Sequence, residues 1–292
     1  MSEYLTFIEE HKGLSVEVDL EKSDLGMPVV LIEARNVRPD NYEIANLVRF
    51  SKVYSWNRRF LELLPESVLG EHINGFPLFD NLFWMDSFLP LEQRINGICL
   101  IARKMGRNTE GDISQAREII FEQIEGIVKH AYGKIPFCGE HYRGPIGSLE
   151  KETYPSSLAK LKKLNEYKFN LCLENCYHEL WSYDYITEKI FDCFKAKTVP
   201  VYLGCYNVEE HIPSELFIDL RRFRSIKELS EYLVQFPDDL FIKMTEMAYE
   251  WVQRSTWGDI RRLRNQFADY RQGSPSRGDG GVKMFSDYRL II

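Results

Sequence analysis

Four polar residues between positions 167 and 204 have side chains suited to binding a phosphorylated sugar. They are Asn175, Tyr185, Glu188 and Lys189. A carboxylate such as Glu188 accepts hydrogen bonds from sugar hydroxyls, and an ammonium such as Lys189 attracts phosphate oxygens. Lys189 also stands where a helix is predicted to begin, and a cation is disfavoured there unless an anion shares the site. The alternative is an ordinary solvated first turn, because Glu-Lys pairs are common on helices.

The elements around these residues form a β-loop-α-β pattern. Residues Tyr167–Leu173 alternate as a strand does, and the strand ends in polar Glu174-Asn175. Apolar residues recur at helical spacing from Ile186, with Asp184 or Thr187 available as the N-cap. Residues Thr198–Leu203 are apolar and rich in valine, which is typical of a buried parallel strand. Ligands of such sheets bind beyond the carboxyl ends of the strands, so we expect the four polar side chains to gather there.

The motifs of this stretch also resemble those of a known family. The chain contains, in order, YKFNLCLEN, YITEKIFDCF, VPVYLG, HIP and FIDLRRF. This series resembles the donor-binding half of the family 10 glycosyltransferases, the α1,3/α1,4-fucosyltransferases, in a bacterial-type form without a membrane anchor. The resemblance is strong from about residue 97 to residue 235. It implies an α/β protein of the GT-B class, with two Rossmann-like domains facing across a cleft.

The same resemblance implies how the chain is divided. Residues 1–95 are predicted to form a reduced acceptor-side domain, and residues 96–255 a Rossmann-like domain that binds the GDP-sugar. Residues 256–292 would supply a crossover helix, at 257–271, and a flexible tail. The first domain is expected to be small because few residues precede the predicted strand Pro28–Ile32, whereas family members carry further β-α units there.

The resemblance also assigns roles to six residues in an inverting transfer of fucose, α1,3-linked, from GDP-fucose to a glycan hydroxyl. Glu33 matches the family's general base, with Asp40 and Glu43 as competing carboxylates nearby. Arg117 and Lys189 would stabilise the departing GDP. The remaining three would bind the donor: Asn175 and Tyr185 through its phosphates or sugar, and Glu188 through its ribose.

Composition narrows the cofactors and partners. The chain has no D-x-D triplet, so we expect no obligatory metal, with stimulation by Mg²⁺ or Mn²⁺ left open. A net charge of −7 argues against a nucleic-acid partner. No apolar run reaches membrane-span length, so a cytoplasmic enzyme is expected, with peripheral membrane contact left open. The six cysteines show no paired CxxC motif and are interpreted as reduced core thiols.

Two alternatives to this function stay open. One is a GT-B transferase that uses another sugar nucleotide, since a few pocket contacts decide the sugar. The other is a non-catalytic nucleotide- or glycan-binding relative with a degenerate first domain. For the transferase, the acceptor would be a lipopolysaccharide, a capsule precursor or an oligosaccharide.

Further elements are predicted from periodicity and capping signals. Residues 1–27 are predicted to contain a short helix and a strand at Leu14–Val18. A long amphipathic helix carrying Arg117 is predicted over Ile113–His130. Ser225 and Glu228 form a capping box that should open a helix over residues 226–234, and a further helix is predicted over Asp238–Arg254.

Overall fold

A computed structural model describes residues 4–9, 14–19, 29–32, 52–72, 84–103, 111–134, 136–146 and 158–255. The chain forms two compact units. The first comprises Met1–Phe79, His178–Tyr185 and Gly258–Ile292, and the second comprises Asp80–Tyr177 and Ile186–Trp257. The predicted domain boundaries at residues 95 and 255 remain predictions, because a compact unit is not by itself an independently folding domain.

The first unit contains a five-stranded sheet with the order β2-β1-β3-β4-β5. Its strands are β1 (Tyr4–Glu9), β2 (Leu14–Asp19), β3 (Val29–Ile32), β4 (Lys52–Ser55) and β5 (Leu69–His72). Strands β1 and β2 pair antiparallel, and the other neighbours are parallel. The predicted strand at 14–18 is confirmed, but 4–9 is a second strand in a region where the sequence favours a short helix. Helix α1 (Arg58–Leu61) joins β4 to β5.

The second unit contains a five-stranded sheet with the order β10-β9-β8-β6-β7. All of its neighbouring strands are parallel. Its strands are β6 (Ile95–Arg103), β7 (Val128–Lys134), β8 (Tyr167–Leu173), β9 (Val199–Leu203) and β10 (Ile218–Asp219). The central strand β8 is buried along its whole length, as expected for a parallel strand covered on both faces. The predicted α/β class with Rossmann-like parallel sheets is confirmed.

Among the residues that the structure describes, each sheet has five strands. The strands of the first sheet are four to six residues long, and those of the second range from two to nine residues. The reduced size of the first domain therefore stays a prediction.

Five helices accompany the second sheet among the residues that the structure describes. They are α2 (Ala116–Gln123), α3 (Leu158–Asn165), α4 (Glu188–Lys195), α5 (Ile226–Val234) and α6 (Asp238–Arg254). The N-cap half of the predicted capping box is present, since Ser225 Oγ accepts from Glu228 N at 3.2 Å. A Glu228 carboxylate oxygen accepts from the backbone N–H of the preceding residue, Arg224, at 2.8 Å. None of the helices in the described part of the chain is both long and apolar enough to cross a bilayer.

The long helix predicted over Ile113–His130 is wrong in its second half. Helix α2 ends at Gln123, and β7 begins at Val128. The C-cap residue Ile124 is already extended, with φ of −68° and ψ of 129°, and Gly126 in the following turn has φ of +77°, a left-handed conformation that glycine adopts readily. Lys129 Nζ donates to the carbonyl oxygens of Phe121 and Glu122 at 3.1 and 2.8 Å, which satisfies groups that the helix end leaves unpaired.

Candidate functional site

Glu174 lies at the carboxyl end of the central strand β8 and is fully buried, with 0% of its surface exposed. Its backbone N–H donates to Leu203 O at 2.9 Å, so the β8–β9 ladder continues one residue beyond the strand. Gly204 follows directly on β9. A Cβ atom placed on Gly204 would lie 2.2 Å from Glu174 Cγ and 2.5 Å from its Cβ. The side chain of Glu174 therefore occupies space that only a glycine at position 204 leaves open.

The buried Glu174 carboxylate is satisfied by donors at the start of α4. Thr187 contributes its backbone N–H at 2.8 Å and its hydroxyl, at 2.8 Å from Oε1 and 2.6 Å from Oε2. Lys189 Nζ donates to Oε2 at 2.7 Å and to Thr187 Oγ1 at 2.8 Å. A buried charge needs both a counter-ion and hydrogen bonds, and Glu174 has both.

The first turn of α4 has an unusual cap. Thr187 occupies the N-cap position, as one of the two predicted candidates, but makes no side-chain cap hydrogen bond. An N-cap hydroxyl ordinarily accepts from an N–H group of the first turn. Here the Thr187 hydroxyl points to Glu174 instead. The other candidate, Asp184, binds Arg58, whose Nη2 lies 2.7 Å from Asp184 Oδ1.

Arg117 and Asn175 contact each other. Arg117 lies in the first turn of α2 and is 4% exposed. Its Nη2 donates to the backbone carbonyl of Glu174 at 2.6 Å and to Asn175 Oδ1. The loop before α2 is held against the same segment, since Ile113 N donates to Asn175 O at 3.0 Å. Residues 174 and 175 thus connect Arg117 to the start of α4.

Glu188 is a charged neighbour of Lys189 and is mostly buried. Its Oε1 lies 3.9 Å from Lys160 Nζ, which in turn lies 2.8 Å from the fully buried Asp192 carboxylate. Burial by itself raises the pKa of the Glu188 carboxyl, but the cations Lys189 and Lys160 outweigh it and the net pKa is lowered. Glu188 is therefore ionised at neutral pH and acts purely as a hydrogen-bond acceptor.

The lowered pKa of Glu188 gives a pH-dependent contribution to stability. Because the folded-state pKa lies below the ordinary value of 4.5, the contribution is complete above that value. It is lost as the pH falls through the folded-state pKa. We expect Glu188→Gln to melt at a lower temperature than the unchanged protein at pH 7, and we expect the gap to narrow below about pH 4. Thermal melts at both pH values test this, and a constant gap would contradict it.

Two predicted site residues lie elsewhere in the chain. Tyr185 belongs to the first unit, where its ring is fully buried and packs against Trp56 with centroids 5.1 Å apart. Glu33 lies outside the described residues, as do Asp40, Glu43 and the predicted helix at 257–271. The roles of all six predicted site residues stay predictions.

Sequence reasoning missed the part played by Glu174, Thr187 and Gly204. A signal was available for Glu174, since a carboxylate directly after a buried apolar strand needs a partner. Gly204 gave a weaker signal, because a glycine after a strand also fits an ordinary turn.

The cysteines agree with the expectation of reduced core thiols. The five whose side chains the structure describes are free and buried: Cys99, Cys172, Cys176, Cys193 and Cys205. Burial raises the pKa of the Cys99 thiol to about 12, so it is protonated and unreactive at neutral pH.

The fold by itself indicates the structural class of the chain. Two α/β units with parallel pairing, the second with a polar cluster at the carboxyl end of its central strand, are typical of GT-B glycosyltransferases. The chain is similar in fold to the Anabaena protein Alr3699/HepE, solved in complex with UDP and glucose. The TM-score is 0.53 at 9% identity, over 85% of this chain and 72% of that one. The predicted GT-B class is confirmed.

The family follows from the sequence itself. Residues 114–266, just over half of the chain, match the profile of glycosyltransferase family 10 (fucosyltransferase), C-terminal part. The chain belongs to this family. An Arabidopsis thaliana alpha-(1,4)-fucosyltransferase is 37% identical over 127 residues, which is 40% of this chain and 29% of that protein. The Helicobacter pylori alpha-(1,3)-fucosyltransferase FucT is 36% identical over 70 residues, which is 24% of this chain and 14% of that protein. The chain thus spans less than a third of these curated relatives.

Proposed function

We propose that the protein transfers fucose from GDP-fucose to a hydroxyl group of a glycan acceptor, with inversion and in an α1,3-type linkage. The observation that carries this proposal is the polar cluster of the second unit. Arg117, Asn175, Glu174, Thr187 and Lys189 form one connected set of hydrogen bonds at the end of the central strand. Membership of a fucosyltransferase family supports the choice of donor.

The cations of the cluster suit a leaving diphosphate. An ammonium has three N–H donors, and two of those of Lys189 are directed at Glu174 and Thr187. No residue in the described part of the chain is seen to accept from the third, which we propose meets a phosphate oxygen. The uncapped start of α4 adds the positive end of a helix dipole. Arg117 and Asn175 would bind from the side of α2, and Glu188, as an ionised acceptor, would bind the ribose.

The proposed reaction is a direct displacement at the anomeric carbon. Glu33 takes the proton of the acceptor hydroxyl while its oxygen attacks the anomeric carbon of fucose. The bond from that carbon to the GDP oxygen breaks on the opposite face. The negative charge that develops on GDP is stabilised by Arg117 and Lys189. Tyr185 is predicted to contact the phosphates or the sugar, but its side chain is fully buried in this structure, so the proposed reaction gives it no step.

A thermal-shift panel tests the donor. We expect GDP and GDP-fucose to raise the melting temperature, while UDP-glucose and buffer leave it unchanged. A ligand at a hundred times its Kd stabilises the folded state by about 2.7 kcal/mol, which is readily measured. Stabilisation by UDP-glucose alone would favour a transferase that uses another sugar nucleotide. No shift with any nucleotide would contradict the proposed donor site.

The same panel, repeated with EDTA, tests the metal requirement. We propose that cationic side chains take the place of an obligatory metal, so the shift with GDP should survive the chelator. Stimulation of transfer by Mg²⁺ or Mn²⁺ is a separate measurement at the level of rate. A cytoplasmic location and a lipopolysaccharide, capsule or oligosaccharide acceptor also belong to this proposal.

A further inference from the structure

Glu174 has no role in the proposed reaction, yet it contacts both cations that would stabilise the leaving diphosphate. Its backbone carbonyl accepts from Arg117 Nη2 at 2.6 Å, and its carboxylate accepts from Lys189 Nζ at 2.7 Å. The side chain is completely buried, so it cannot itself meet a substrate. We infer that Glu174 is a positioning residue, which with the Thr187 hydroxyl fixes the Lys189 ammonium for the leaving diphosphate. This inference rests on the proposed function.

The charge of Glu174 keeps the Lys189 ammonium at the start of α4. Lys189 is the second residue of α4, where the helix dipole repels a cation. A flexible lysine would therefore turn away into solvent, where ammonium groups are strongly hydrated. The Glu174 carboxylate, 2.7 Å from Nζ, offsets that repulsion and holds the cation at the helix start.

The hydrogen bonds around Lys189 Nζ fix the direction of its ammonium group. Thr187 Oγ1 lies within hydrogen-bond distance of both Glu174 carboxylate oxygens and of Lys189 Nζ. The ammonium is thus fixed by two acceptors, each of which is held by the other. Two fixed N–H directions leave the third N–H with a defined direction as well. Transition-state charge is stabilised best by donors that need no reorganisation during the reaction.

Thr187 binds Glu174 and Lys189 in place of forming the usual N-cap hydrogen bond. A threonine at an N-cap ordinarily stabilises the helix through a cap hydrogen bond. Thr187 makes none. Its hydroxyl is instead used to fix Glu174 and Lys189, an arrangement that a purely structural helix start does not require.

The test is a pair of double-mutant cycles on transfer from GDP-fucose by the full chain, in which rates are normalised to folded protein. We expect Glu174→Gln and Thr187→Val each to lower kcat by about 10-fold, since small misplacements of a positioned group have large effects on rate. Lys189→Met should lower kcat by about 100-fold, as does the loss of one transition-state donor. Each double variant with Lys189→Met should be no slower than Lys189→Met alone, because the first residue acts through the second.

Thr198→Val is the matched control. Thr198 and Thr187 are equally buried, both at 2% exposure, and the Thr198 hydroxyl donates to Leu164 O at 2.7 Å. The same hydroxyl loss at Thr198 should lower the melting temperature without changing kcat. If Glu174→Gln does not fold, the Thr187→Val cycle decides alone.

These measurements distinguish a failure of the positioning role from a failure of the proposed function. Additive losses in the cycles, or an equal loss of kcat in Thr198→Val, would overturn the positioning role while the proposed function stands. Absence of transfer and of any GDP-dependent melting shift in the unchanged protein would overturn the proposed function, and the positioning role with it.

Discussion

Glu33→Gln is expected to lower kcat for fucosyl transfer by about 10²- to 10⁴-fold, the usual contribution of a general base. An amide cannot take the proton of the acceptor hydroxyl, so the oxygen attacks as a weak nucleophile. Glutamine keeps the size and most hydrogen-bonding geometry of the carboxyl group, which separates the proton transfer from packing. The measurement is the steady-state rate of transfer from GDP-fucose to an accepted glycan.

Two controls make this result specific. The melting shift with GDP should be the same in Glu33→Gln and in the unchanged protein, because Arg117, Asn175 and Lys189 bind the donor in the proposed function. Asp40→Asn and Glu43→Gln remove the competing carboxylates and should leave kcat within about threefold, because neither carboxylate takes the acceptor proton in the proposed reaction. Full activity of Glu33→Gln would exclude it as the base.

The second sheet could be predicted from the sequence, because local signals and tertiary structure agree there. The run Tyr167–Leu173 alternates as a strand does, and it forms the central strand, which is buried along its whole length, including the polar Lys168 and Asn170. Helix α5 starts at its capping box. The helix predicted over Ile113–His130 extends too far, because apolar residues continue at helical spacing past Gly126 into strand β7. A short apolar run fits either structure, and tertiary pairing decides.

The candidate site could be predicted only in part. The motif residues Arg117 and Asn175 do meet, because one lies on the first turn of a helix and the other at the end of the neighbouring strand. The position of Tyr185 could not be predicted, since a tyrosine beside a motif fits a ligand contact and a core position equally well. In the structure it is buried against Trp56. The burial of Glu174 depends on strands distant in sequence, which spacing within one motif does not reveal.

The sequence predicts that an anion lies beside Lys189, and in the structure the Glu174 carboxylate is such an anion. Glu174 carries the negative charge that the start of α4 would otherwise need from a ligand. Its carboxylate also contributes, after burial itself, to raising the pKa of the Tyr202 hydroxyl well above the ordinary value. The charges of Glu174 and Lys189 are therefore already paired with each other before any donor binds.

Gly204→Ala is expected to destabilise the protein by at least about 3 kcal/mol, at the upper end of what overpacking of a core costs. The added Cβ would lie 2.2 Å from Glu174 Cγ and 3.0 Å from Tyr202 Oη, both in fully buried side chains. Glu174 cannot move without separating its carboxylate from Lys189, and a buried charge without its partner is itself strongly destabilising. The measurement is the midpoint of urea unfolding, with the slope m compared to exclude a change of cooperativity.

Gly70→Ala is the matched control for this substitution. Its added Cβ would meet Leu64 Cδ1 at 3.0 Å and Leu61 Cδ2 at 3.3 Å, ends of flexible side chains that can shift by a few tenths of an ångström, and Leu61 Cβ at 3.4 Å, an ordinary contact. Alanine also restricts the unfolded chain more than glycine does, so Gly70→Ala should lie within about 1 kcal/mol of the unchanged protein. Because Gly204 lies against Glu174, its substitution should weaken GDP binding as well, whereas Gly70→Ala should not. Equal stability of the two variants would mean that Glu174 can be displaced without loss of stability. The packing of Glu174 on Gly204 would then not hold the start of α4 in place.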